Sequence, residues 1–562
     1  MGEIAGVSRS QPDRSGLFGS AGGPPQAMST GMTNPPTPED SVSPDRRIWH
    51  GLQLRKWTVL AMLPPLLMTG MNSTVTDLAR PFIVTELSSD RYRYQWVTGL
   101  TLLGAVGGMS IINWARARFG LKRAFLVGLV LFTLGSLAMG LSPNFEILGV
   151  ARFLQSWGNG MVVTTVLALL WREFPEDRDA SMALYVLGLY FGRILAPSVS
   201  AYLINLPSWR SIFLVNVPVA AVAVLLTSKT LQPDQPPQER HRERLDLAGL
   251  ALLFAWIGCL ILGLYRFQKW GWETAGETWL VAGLGILAFS AFLIREFTAE
   301  DSLLNLYLFG RSRFALAVII KALADTNFFT VLAILTRYMA VTRDYQRSTT
   351  GLVLLPAVAS MGATLLLSAR FGTRRDRKGR LILGLSGMAV MSWVLASIDL
   401  YTDKHWISAM VALWAASAGL VASPLICISQ EDMTMQEVAA SSCIKNLGLV
   451  LPSAIGGGLI AIFSERRTDA QFDALRLAIE PNRPALIDVS QSLADRFATR
   501  GLDPVEATSR ASGAVAEFVR DNASVYAQQA SLQLLALIVA VGILLAFLLK
   551  PLPPHASGPI RG

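Results

Sequence analysis

Charge is what this chain has least of. Of its 562 residues only 16% are Asp, Glu, Lys or Arg, against about 25% in an ordinary globular protein. A soluble chain of this length would need several domains with charged surfaces, and this composition cannot supply them. Histidine is scarce: His50, His241, His405 and His555 stand at no ligand spacing, so no metal site is visible. The three cysteines, Cys259, Cys427 and Cys443, lie far apart inside apolar runs. They read as small core hydrophobes rather than as a disulfide or metal framework. No Gly-x-x-x-x-Gly-Lys-Ser/Thr loop occurs, which excludes a built-in ATP motor. No nucleophile, acid/base pair or metal cluster stands out, so neither an enzyme nor a cofactor is expected.

Apolar length is what the chain has in excess. Hydrophobic residues make up 52% and the mean hydropathy is +0.42. Runs such as Ala124 to Leu141 and Leu532 to Leu549 approach the ~20 residues that cross a bilayer. The composition therefore predicts an all-α polytopic membrane protein with the lipid bilayer as its solvent. A net charge of +9 raises the question of nucleic acid. However, the Lys and Arg residues sit in short loops between apolar segments, a pattern that sets membrane orientation. No nucleic-acid partner is expected.

The hydrophobic pattern predicts fourteen spans. Six fall at 57–77, 95–114, 124–141, 145–170, 180–203 and 209–231, and two at 245–265 and 277–297. Six more fall at 314–340, 348–369, 380–400, 406–430, 438–463 and 530–550. Residues 1–50 are rich in Ser, Pro and Gly, with no apolar stretch before Trp57. They are not a signal peptide, cannot bury a core, and are expected to form a disordered cytoplasmic tail. The chain then divides into a six-span bundle at 51–231, a linker with two inserted spans at 232–313, a second six-span bundle at 314–550, and a cytoplasmic tail at 551–562. Basic residues gather on one side: Arg116, Arg118, Lys122 and Arg123, then Arg240, Arg242 and Arg244, then Arg370, Arg374, Arg375, Arg377, Lys378 and Arg380. The opposite short loops hold far fewer, so the positive-inside rule places both termini in the cytoplasm. The polar stretch 464–528 then lies outside. Within it Asp503-Pro504-Val505-Glu506 reads as an N-cap, a proline at the first helical position and a capping-box glutamate. Short amphipathic helices covering the outer mouth are expected there.

One short basic turn occurs twice, eight spans apart. The first copy is Asn113-Trp-Ala-Arg-Ala117-Arg118-Phe-Gly120-Leu-Lys122-Arg123, and the second is Gly372-Thr-Arg-Arg-Asp376-Arg377-Lys-Gly379-Arg380. A six-span unit, an inserted pair and a second six-span unit give that spacing, and parallel repeats of this kind mark one class of secondary transporter. The residues resemble the major facilitator superfamily, specifically the fourteen-span drug:proton antiporters of EmrB/QacA type. The Asp-Arg-x-Gly-Arg turn is similar to that superfamily's motif between spans 2 and 3. Arg152-Phe-Leu-Gln155-Ser-Trp-Gly158 resembles its span 4 pattern, and Gly192-Arg193-Ile-Leu-Ala196-Pro197 its span 5 antiporter motif. Ser208-Trp209-Arg210-Ser-Ile-Phe213 is similar to the start of its span 6. The resemblance implies two six-helix bundles, alternating access, and spans 1, 4, 9 and 12 lining a central cavity. It also implies gating roles for Arg118, Gly120, Lys122, Gly192, Pro197, Asp376, Arg377, Gly379 and Arg380. Two departures stand out. Ala117 replaces the motif's acid in the first turn, and Asn72 replaces the span 1 carboxylate. Asp77, five residues on, is about 140° around a helix from Asn72 and cannot stand in for it.

Ionisable groups inside spans are expensive and by default mark pathways. Those here are Asp77 and Arg80 in span 1, Arg152 in span 4, Arg193 in span 5, Lys321 and Asp325 in span 9, and Lys445 in span 13. Arg152, Gln155 and Asn159 share one helix face. Lys321 and Asp325 form an i, i+4 pair with two readings. One is a self-neutralising ion pair that fixes packing; the other is a proton-exchanging carboxylate whose titration depends on its neighbour. Asp77 with Arg80, near the outer end of span 1, reads first as an interfacial pair reaching water. Bases outnumber acids in this set, which points to anionic or zwitterionic amphiphiles.

The expected function is secondary active transport in the bacterial inner membrane, with a small-molecule substrate and protons as partners and export as the direction. A periplasmic adaptor protein could contact the outer segment. Two alternatives stay open at this point: a narrow-specificity carrier of an organic anion or metabolite, importers included, and a transport-dead sensor or scaffold on the same fold.

Overall fold

The computed structural model describes residues 56–549, apart from 90, 175–177, 205–207, 232–233, 235–243, 271–274, 300–301, 305, 340–346, 372–375, 431–432, 434, 479–483, 500 and 502. The expected tails, 1–50 and 551–562, lie outside the described residues. Among the described residues the secondary structure is helical, without strands. The first bundle holds α1 (Lys56–Glu86), α2 (Arg91–Ser110), α3 (Ile112–Phe119), α4 (Leu121–Gly140), α5 (Phe145–Glu173), α6 (Arg178–Ile204), α7 (Ser211–Leu214) and α8 (Asn216–Thr230). The inserted pair is α9 (Leu247–Trp270) and α10 (Ala275–Thr298). The second bundle holds α11 (Ser312–Arg337), α12 (Arg347–Phe371), α13 (Arg377–Leu395), α14 (Lys404–Gln430), α15 (Met435–Ala478), α16 (Pro484–Ala498) and α17 (Pro504–Leu548).

Eleven helices are long and apolar enough to cross a membrane, or up to 12 if the bent pair α2–α3 is one span. Fourteen is not reached by that measure; α1 and α6 are the long helices outside it. The 42° bend between α2 and α3 has a local cause. Gly107 and Gly108 precede it, and the Ser110 hydroxyl donates to the Val106 carbonyl at 2.9 Å, a back-bond that bends helices.

The bundles meet where α6 packs on α12 and α14, and where α15 packs on α2 and α5. Close approach is written into two glycines. A Cβ on Gly108 would lie 2.0 Å from the Trp157 carbonyl oxygen of α5, and one on Gly192 would lie 2.5 Å from the Leu67 carbonyl oxygen of α1. The inserted pair leans on α2 and on itself. Asp246, just before α9, accepts from Arg295 Nε at 2.8 Å and from the Gly249 amide at 2.9 Å. Burial pushes its carboxyl up, but the Arg295 and Gly249 hydrogen bonds outweigh that and hold it below the usual carboxylate range. Leu280, Leu284, Leu287 and Ile294 of α10 stay exposed, as expected of an apolar helix with lipid on most of its sides.

The polar stretch 464–528 differs from expectation. Among the described residues α16 is a separate short helix, whereas 464–478 and 504–528 continue the flanking helices, so that α15 runs for 44 residues and α17 for 45. The reason is local: no Pro or Gly interrupts 464–478 or 514–528, and good helix formers propagate a helix already nucleated in the span. The N-cap forms as read. The Asp503 carboxylate accepts from the Val505 amide at 3.2 Å, with Pro504 at the first helical position.

Candidate transport site

In the first bundle the polar stripe of α5 is turned inward. Arg152, 2% exposed, donates from Nε to Thr101 Oγ1 at 2.9 Å and from NH1 to Gln155 Oε1 at 2.7 Å. Its NH1 also reaches Asn72 Oδ1 at 2.9 Å, and its NH2 reaches the Asn72 carbonyl at 3.3 Å. Gln155 Nε2 passes the chain on to Ser136 Oγ at 2.8 Å. Four helices, α1, α2, α4 and α5, are thus tied around one guanidinium. Asn72, standing where the resemblance implies a carboxylate, supplies two of its acceptors without carrying a proton. Asn159 lies one turn further along α5, partly buried, and its Oδ1 has no hydrogen-bond partner among the described residues.

The second cluster crosses the seam between the bundles. Lys321 and Asp325 of α11 form an ion pair within one helix, with side chains 12% and 5% exposed. Tyr190 of α6, in the other bundle, completes a triangle. Its hydroxyl donates to Asp325 Oδ1 at 2.5 Å and accepts from Lys321 Nζ at 3.2 Å. The Tyr190 ring packs on Phe328 and Phe329, with centroids 5.1 and 6.1 Å away, and Phe328 stacks on Trp414 at 5.1 Å. Nearer the basic-turn end, Tyr185 donates to Asn446 Oδ1 at 3.0 Å, and Cys443 Sγ to the Met109 carbonyl at 3.1 Å. These bonds join α6 and α2 to α15.

Arg193 and Pro197 follow on α6. The Arg193 guanidinium lies over the Phe329 ring, 3.8 Å from its centroid, a cation–π contact across the same seam. Pro197 has no N–H to give the Arg193 carbonyl one turn back, yet α6 continues through it. Arg80 packs over Tyr94 of α2 at 5.0 Å, while the side chain of Asp77 lies outside the described residues. Lys445 of α15 is 3% exposed, and its Nζ has no hydrogen-bond partner among the described residues. Between α11, α13, α14 and α6 lies a cavity of about 20 Å³, lined by Tyr190, Lys321, Asp325, Phe328, Met388 and Val421. That holds a water molecule, not a drug-sized substrate.

The two basic turns share a capping device that motif alignment hides. Lys122 Nζ donates to the carbonyls of Ser228 and Leu231 at the end of α8. Lys378 Nζ donates to those of Phe547 and Leu549 at the end of α17. Each lysine is the second residue of its helix and satisfies the final carbonyls of the last helix of its bundle. The turns differ at the glycine. Gly120 has φ +87°, a conformation that favours glycine, whereas Gly379 is exposed, with nothing among the described residues where a Cβ would go. An acid does reach the first turn despite Ala117. Asp234, beyond α8, accepts from the Lys122 amide at 2.9 Å and pairs with Arg172 NH1 at 2.6 Å. In the second turn Arg380 donates to the Ser368 carbonyl at 2.7 Å, Arg377 is buried, and Asp376 and Arg118 are exposed. At the opposite end Glu86 takes bonds from Arg210 and from Trp209 Nε1. The Arg210 bond holds its carboxyl below the usual range.

Two helical bundles, joined at a polar seam and carrying the same basic turn at the same place, define a carrier rather than an enzyme. The chain belongs to the Major Facilitator Superfamily, whose family model matches residues 66–457. It is 29% identical over 409 residues to Multidrug resistance protein Stp of Mycobacterium tuberculosis, covering 71% of this chain and 74% of that one. It is 27% identical to the Tetracenomycin C resistance and export protein of Streptomyces glaucescens, over 67% of this chain and 69% of that one. With Multidrug export protein EmrB of Escherichia coli it shares 24% identity, over 77% and 85% of the two chains.

Proposed function

We propose that this transporter exports amphiphilic small molecules across the bacterial inner membrane in exchange for protons, preferring anionic or zwitterionic ones. Fourteen spans complete the arrangement, with α1, α6 and the bent pair counted, and both termini and the basic turns face the cytoplasm. The printed names of the relatives support export. The observation that carries the coupling is the Tyr190–Asp325–Lys321 triangle, because it makes the protonation of one carboxylate a contact between bundles. Ionised Asp325 accepts from Tyr190 of α6 and offsets Lys321. A proton on Asp325 cancels the ion pair and loosens α6 from α11, so that the bundles can part. With Asn72 in place of the span 1 acid, coupling falls on this carboxylate. An adaptor protein on the outer side would meet the extensions of α15 and α17 first.

The test is transport in proteoliposomes under an imposed pH gradient, comparing wild type with Asp325→Asn. The substitution should abolish uphill movement of an amphiphilic dye and leave downhill flux. Uphill transport at the wild-type rate in Asp325→Asn would sink the proposal.

A further inference from the structure

Lys445 has no place in the triangle or in any other hydrogen-bonded cluster among the described residues. It is 3% exposed, ten residues into α15, with Nζ unpartnered. Its direction follows from its neighbours on the helix, which advances about 100° per residue. Gly448 faces α11, where a Cβ would lie 3.1 Å from Val318. Asn446 faces α6, accepting from Tyr185, and Cys443 faces α2. Between the Gly448 and Asn446 directions, Lys445 points to the space between α11 and α6. Lys321, Asp325 and Tyr190 occupy that same space, and Lys321 lies within electrostatic range of Lys445. The charges gathered at this seam are therefore the Lys321 and Lys445 ammonium groups and the Arg193 guanidinium over Phe329, against one carboxylate, Asp325, already held by Lys321.

A buried ammonium without an acceptor is costly, and one added anion would remove the cost. Ala324, Phe328, Met388, Val421 and Leu425 line the cavity beside Lys321 and Asp325 and offer an apolar wall. We infer that Lys445 anchors the anionic headgroup of the transported amphiphile (a carboxylate, phenolate or sulfonate) while the apolar body lies against the α11–α14 wall. The inference rests on the export reading and names its substrate class. The occupant enters when the bundles part and the cavity widens. One negative charge offsets part of this positive excess, whereas a lipophilic cation would add to it.

The experiment compares dansyl-labelled undecanoic acid with its methyl ester, using wild type, Lys445→Met and Lys445→Arg. Equilibrium binding to the purified full chain in detergent is followed by the dansyl fluorescence, and uptake is measured in proteoliposomes. Lys445→Met should weaken binding of the acid by about tenfold or more, the scale of one charge-assisted contact. Ester binding should stay within about twofold, and Lys445→Arg should keep most of the affinity for the acid, since it keeps the charge. Equal loss for acid and ester in Lys445→Met, with Lys445→Arg equally impaired, would make the residue structural and overturn the inference. So would unchanged binding of the acid. Because the binding assay needs no gradient, it decides the anchor separately from coupling. Charge-selective binding with no uphill transport in wild type would refute the export reading and leave the anchor standing.

Discussion

Removing one hydroxyl should change how often the bundles separate. Tyr190→Phe keeps the ring that packs on Phe328 and Phe329 and deletes the bond to Asp325 and the one from Lys321. Asp325 keeps Lys321, so no buried charge is orphaned and the fold should survive. A hydrogen bond to a charged group contributes about 1.5–3 kcal/mol. If that contribution exists only while α6 and α11 are in contact, its loss shifts the equilibrium towards the parted state roughly 10- to 150-fold. The assay is a pair of spin labels at Arg118 and Gly379, both at the basic-turn end and one in each bundle. Cys259 and Cys427 are replaced by Ala. Cys443 is replaced by Ser, which keeps a donor to the Met109 carbonyl. Wild type should give one narrow distance population. Tyr190→Phe should add a longer one and weaken the dependence of transport on the pH gradient. An unchanged distance distribution together with wild-type coupling would refute the idea that this hydroxyl links protonation to bundle contact.

The paired glycines of the two basic turns should behave differently. Gly120→Ala forces a side chain into positive φ, a cost of about 1–2 kcal/mol, and sets its Cβ 2.2 Å from Asp234 Oδ2; thermal unfolding in detergent should fall clearly. Gly379→Ala meets nothing among the described residues and should melt within error of wild type; equal effects would show that the motif, not the local backbone, decides. The Glu86–Arg210 pair should register in acid. Because the folded carboxyl sits below its usual value, its contribution is present above about pH 4.5 and fades as pH falls through the folded value. The pair is half exposed, which limits the contribution to below about 1 kcal/mol. Glu86→Gln should flatten that acid limb of the melting curve, and an unaltered limb would remove Glu86 from the account.

What is legible in the sequence follows the range of the interactions involved. Helices depend on neighbours three and four residues away, so the apolar runs, the Asp503 cap and the Lys321–Asp325 pair can be read directly. Asp234 cannot: it meets Lys122 across 112 residues, and nothing near Ala117 announces it. Tyr190 escapes because one aromatic residue within Val186-Leu-Gly-Leu-Tyr190-Phe191 reads as core. Its signal is position, a hydroxyl three residues before Arg193 on a helix that the span 5 motif already sets apart. Arg152 is legible as a polar group in a span. Its enclosure by α1, α2 and α4 depends on helix packing, and Asn72 shows only that a proton carrier is missing. The stretch 464–528 misleads because its polarity suggests separate pieces, whereas the two flanking helices continue into it.

Those long helices have a mechanical consequence. A helix of 44 residues such as α15 extends about 66 Å, roughly twice the ~30 Å thickness of the hydrocarbon core. With α17 beside it and α16 packed against α17, the second bundle carries a stiff mast whose far end stands roughly 30 Å beyond the bilayer. A tilt of about 10° in the bundle would sweep that end sideways by about 5 Å, the length of one helical turn. In the proposed cycle such a tilt would carry movement to a distance from the substrate, and a label on Asp495 would report it without touching the seam.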